Sequence, residues 1–65
     1  MLSEFDIEML PRILGGHGDW FTAELLRLIT HADVENREKL RKAFPAEVAL
    51  VDEYQFNPNS RWARS

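Results

Sequence analysis

The 65-residue sequence predicts an all-α domain, a compact bundle of three to four short helices with a flexible C-terminal tail. Three observations point there. Apolar residues recur at intervals of three and four, and no stretch alternates as a half-buried strand does. Ser, Asp, Pro and Gly stand where helices begin and end. The length allows one small domain, read as a helical unit over 1–56 and a tail over 57–65. A chain of this size hides only about 60% of its extended surface, so burial and ordering nearly cancel. Stability must then lean on local helix signals, close packing or a partner.

Ser3 with Asp6 three residues on opens the first helix, and Glu4, Asp6 and Glu8 suit the positive end of its dipole. Phe5, Met9, Leu10, Ile13 and Leu14 recur at helical spacing. Pro11 lacks an N–H and crowds the carbonyl of Ile7, which predicts a kink or a restart. Gly15 and Gly16 end the segment, glycine adopting the left-handed cap cheaply. Asp19 is expected to cap the second helix, Trp20 to Ala32. At about 100° per residue, Phe21, Leu25, Leu26, Leu28, Ile29 and Ala32 form one broad apolar face. Trp20, Glu24, Arg27 and His31 line the opposite side.

Asp33 starts a third helix, Val34 to Ala43, anchored by Val34, Leu40, Ala43 and the following Phe44. Its "ENREKLRKAF" run is mostly charge. Phe44-Pro45 breaks the pattern, and Pro45 then suits the first position of a fourth helix. Val48, Leu50, Val51 and Tyr54 give that helix its buried side. After Phe56, "NPNSRWARS" reads as a turn-rich tail.

Composition excludes several classes. Without cysteine there is neither a disulfide nor a thiolate zinc site, which suits a reducing cytosol. No apolar run approaches the ~20 residues of a membrane span, and "MLSEFDIEM" begins acidic where a signal peptide begins basic. No membrane association is expected. Net charge is −3 with a pI near 5.2, unfavourable for generic nucleic-acid binding. The charge is uneven: residues 1–33 carry two Arg against six acids, residues 34–65 six Lys/Arg against five.

The motifs that resemble chemistry have simpler readings. Backbone amides in a run such as "GGHG" before a helix can cradle an anion, but an aspartate follows and no P-loop Lys-Ser/Thr does, so a helix stop is favoured. His17/Asp19 and His31/Asp33 resemble metal ligands. They fall at opposite ends of one helix, roughly 20 Å apart, so no single intrachain site uses both pairs. No metal and no cofactor is expected. A catalytic group would need a base, nucleophile and oxyanion donors gathered in a pocket, which no spacing here specifies, and the expectation is a non-enzyme.

Two binding surfaces remain. Trp20, Glu24, Arg27 and His31 form an outward stripe carrying the Trp and Arg that commonly anchor protein interfaces. Trp20 folding back onto the first helix or the C-terminal tail is an equal alternative. The stripe implies a protein partner or a homo-oligomer. The rival surface is a nucleic-acid site using Arg37, Lys39, Arg41 and Lys42 with Arg61, Trp62 and Arg64 of the tail. Glu35 and Glu38 oppose it, so a solvated helix face is preferred there.

The run "GDWFTAELLRLITHADVENREKLRKAFPAEVALVDEY" resembles a family of short bacteriophage and prophage proteins. The resemblance rests on Asp19-Trp20-Phe21-Thr22-Ala23, Leu25-Leu26-Arg27-Leu28-Ile29, Ala32-Asp33, Asn36-Arg37, Leu40 and Phe44-Pro45. It spans residues 18–54 and carries no activity, cofactor or catalytic residue. It implies a phage origin, a bacterial host cytosol, and action by binding a host or phage macromolecule.

Overall fold

The computed structural model describes residues 2–57, which form five helical segments and no strand. They are α1 (Glu4–Glu8), α2 (Leu10–Leu14), α3 (Phe21–His31), α4 (Val34–Ala43) and α5 (Pro45–Phe56). The expected tail beyond Asn57, with Arg61, Trp62 and Arg64, lies outside the described residues.

Local chemistry accounts for most boundaries. At the start of α1 the Ser3 hydroxyl accepts the Asp6 amide at 3.1 Å, and the Asp6 carboxylate accepts the Ser3 amide in return. Pro11 divides the expected first helix into α1 and α2, which meet at Met9. A Schellman cap closes α2: the Gly16 amide donates to the Ile13 carbonyl and the His17 amide to the Arg12 carbonyl. Gly16 has φ +112°, which glycine adopts without strain. The Asp33 carboxylate accepts the Asn36 amide at 2.8 Å and starts α4. Phe44 ends α4 and begins α5, with Pro45 in the first turn where no amide partner is needed.

The core is a single cluster. Leu10 and Ile13 from α2, Ala23, Leu25, Leu26 and Ile29 from α3, and Val48, Leu50 and Val51 from α5 are its buried members. The main pairings are α1 with α2, α2 with α3, α4 with α5, and α3 with α5. Thus α3 is central, covered by α2 and α5.

Three expectations need correction. The cap of α3 is Trp20, one residue later than Asp19, and no side chain hydrogen-bonds there. The Trp20 carbonyl accepts the Glu24 amide, while its indole turns to α1. Phe21 and Leu28, placed inward by periodicity, are 61% and 54% exposed. The apolar stripe of α3 is wider than α2 and α5 can cover, and these two residues fall on its uncovered edge. Val34 and Ala43 do not anchor α4 either, both being exposed. Leu40 and Phe44 hold that helix down, with help from charge.

That help comes from Asp52 on α5. Arg37 Nη2 donates to Asp52 Oδ1 at 2.7 Å and Arg41 Nη1 to Oδ2 at 2.9 Å, one cation on each oxygen. Arg37 also donates to the Ile29 carbonyl near the end of α3, and its guanidinium lies over the Phe56 ring. Three helices are thereby tied at one corner. Burial alone pushes the Asp52 carboxyl up, but the hydrogen bonds from Arg41 and Arg37 outweigh it and hold it below the usual 3.8. The folded state therefore favours ionised Asp52. That contribution is complete above the unfolded value near 3.8 and disappears as pH falls through the lower folded value. Asp52→Asn should cost about 1 kcal/mol at neutral pH, and its difference from wild type should close in that acid window. Urea melts at pH 7 and at a series of pH values descending from 3.8 check this; a gap that does not narrow as pH falls would contradict it.

Candidate interaction surface

The four residues of the sequence stripe separate in the structure. Trp20 is partly buried: its indole N–H donates to Asp6 Oδ1 at 2.9 Å, and its ring meets Phe5 at 5.8 Å between centroids. Of the two places expected for a folded-back Trp20, the first helix is the one it contacts; the tail lies outside the described residues. Arg27 also turns inward along the surface. Its Nη1 donates to the carbonyls of Ile13 (2.8 Å) and His17 (3.0 Å), and its Nη2 to that of Gly18 (2.6 Å). One guanidinium fork thus clamps the end of α2 and the connector to α3. Glu24 and His31 remain exposed.

The outward face of α3 is therefore Phe21, Glu24, Leu28 and His31, all within an arc of about 80° at helical geometry. One flank is closed by the Arg27 clamp. The other opens on a groove of about 430 Å³ between α3 and α4, lined chiefly by Leu28, His31, Ala32, Asn36, Lys39 and Leu40. At the far end Phe21 rests against Phe44, ring centroids 6.3 Å apart. Sequence reading missed Phe21 and Leu28 because they fit the apolar period. The available signal was excess: six apolar positions on a helix of eleven residues exceed what two neighbours cover.

The basic candidates are divided as well. Arg37 and Arg41 are engaged by Asp52, and Glu38 accepts from Arg41 at 3.2 Å. The Asp52 bond, ahead of the opposing effect of burial, holds the Arg41 guanidinium more firmly protonated than usual. Lys39 and Lys42 are exposed and make no ion pair among the described residues. In the glycine connector, the amides of Gly15, Gly16 and His17 all point back to α2 carbonyls, leaving none of the three to cradle an anion. Among the described residues no three His, Asp or Glu side chains gather as a metal site, and no helix is long and apolar enough to cross a membrane.

Fold and surface together define a small all-α scaffold in which α3 keeps an open face. Compared with family models, curated proteins and solved structures, the chain matches none.

Proposed function

We propose that this protein acts by protein–protein contact through the outward face of α3 and the adjoining α3–α4 groove. One observation carries the reading: Phe21 and Leu28 stand 61% and 54% exposed on the helix whose other side forms the core. Apolar side chains grouped beside a groove and rimmed by polar ones mark contact surfaces more often than chance exposure does. Glu24 and His31 of the sequence stripe stay on this surface. Trp20 and Arg27 act behind it, setting the position of α3. The resemblance to phage proteins adds a bacterial host or phage protein as the source of such a partner. A nucleic-acid role has less support, since Arg37 and Arg41 on α4 are already paired with Asp52 and Arg41 also with Glu38.

Capture from bacterial lysate on immobilised protein tests the reading. Partners should be retained by wild type after nuclease treatment and lost by the folded Phe21→Ser/Leu28→Ser variant. Capture that vanishes with nuclease, or is equal for both proteins, would refute it.

A further inference from the structure

The open face of α3 is symmetric in its chemistry. Leu28 lies near its middle, Glu24 four residues before it and His31 three residues after. Phe21 projects at one end of the helix, and the groove beside Leu28, Ala32 and Leu40 opens at the other. A two-fold interface needs this pattern, because residue i on one copy meets residue j on the second while j meets i.

We propose that the face binds a second copy of this chain, with the two α3 helices antiparallel and each Phe21 seated in the other copy's groove. This rests on the protein-contact reading and names the partner. Set the two-fold axis between Arg27 and Leu28. Glu24 and the opposing His31 then lie at the same level, about 5 Å from the axis at 1.5 Å per residue. A carboxylate accepts what an imidazole N–H donates, and the pair forms twice. The two Leu28 side chains flank the axis between these pairs. Phe21 lies about 10 Å from the axis. It faces the level just past the end of the opposing α3, beside the groove of about 430 Å³ that Ala32 and Leu40 line. Its ring already rests on Phe44, so little side-chain freedom is lost on docking.

Charge favours a second copy over a foreign helix. A partner selected by one sign of charge would be met by a face of that opposite sign. This one is mixed: Glu24 and His31 stand at matched distances from an apolar centre, and Asp33 and Lys39, one of each sign, line the groove beside them. One short helix and a groove make a small interface, and each chain carries −3. Association is accordingly weak, with a dissociation constant between about 1 µM and 1 mM, and long-range repulsion is screened at physiological salt.

Sedimentation velocity of the full chain from about 10 µM to 1 mM, in 150 mM salt, reads this directly. Wild type should pass from monomer to dimer. Glu24→Lys should weaken the dimer at least about tenfold by setting lysine against histidine twice, and Glu24→Lys/His31→Glu should recover it to within about threefold. Phe21→Ser should leave a monomer throughout. All these positions are exposed, and far-ultraviolet circular dichroism verifies that each variant keeps its helices. A wild type that is monomeric at the highest concentration, or a double variant no better than Glu24→Lys, overturns the proposal. If lysate capture still depends on Phe21 and Leu28 in that event, the contact surface stands and only the second copy is removed.

Discussion

Arg27→Ala should be the most damaging single change to a side chain outside the core. It removes three charge-assisted hydrogen bonds to the carbonyls of Ile13, His17 and Gly18, and with them the clamp between α2 and α3. Water can reach part of this site and replace some of the loss, so about 3 kcal/mol is expected instead of the full sum. In a domain of this size that lowers the melting temperature by roughly 15 °C. Arg27→Lys should recover little, because a point cation cannot span three carbonyls set in a fork. Thermal melts followed by circular dichroism decide it. A loss under about 3 °C would mean that the clamp is decorative, and Arg27 would return to the list of residues free to meet a partner.

Gly18→Ala should come second, at about 2–3 kcal/mol. Gly18 has φ +95°, a conformation that costs a residue with a Cβ about 1 kcal/mol. The added methyl would also stand 2.4 Å from Trp20 Cζ3, well inside van der Waals contact with the indole ring. The ring must move, and the bond from its N–H to Asp6 goes with it. Gly16→Ala is the control. Its φ of +112° is equally unfavourable, but nothing lies within 4 Å of the new carbon. Gly18→Ala should therefore exceed Gly16→Ala by more than 1 kcal/mol in urea melts. In a Trp62→Phe background it should also red-shift the Trp20 emission. Equal losses at the two glycines would show that the indole does not lie over Gly18.

Much of the fold was legible in the sequence wherever the controlling interaction is local. Ser3 with Asp6, Gly16, Asp33 and Pro45 each act within four residues, and each performs the capping or stopping role its chemistry suggests. The cap of α3 was misplaced by one residue for a reason outside that range. Trp20 reaches Asp6, fourteen positions away, and this docking sets where the helix turns in. Long cations were the hardest to read. Helical periodicity assigns Arg27 to the outer side, which is true of its Cα. Its side chain then runs back to carbonyls nine to fourteen residues earlier. Arg37 and Arg41 likewise find Asp52 at separations of fifteen and eleven. As for the surface, periodicity identified an apolar stripe on α3 but not its uncovered part. That depends on the width of α2 and α5 after packing.

The order of the pairings bears on how quickly the chain finds its shape. Three of the four main helix contacts join consecutive segments, and only α3 with α5 spans an intervening helix. Most of the entropy of closing loops is thus spent over a few residues, a topology associated with microsecond-to-millisecond folding in one kinetic phase. The step that remains is to swing α5 about Phe44 until Val48 and Val51 reach the central helix. Until that closure, the apolar side of the central helix that Val48 and Val51 cover stays open to water.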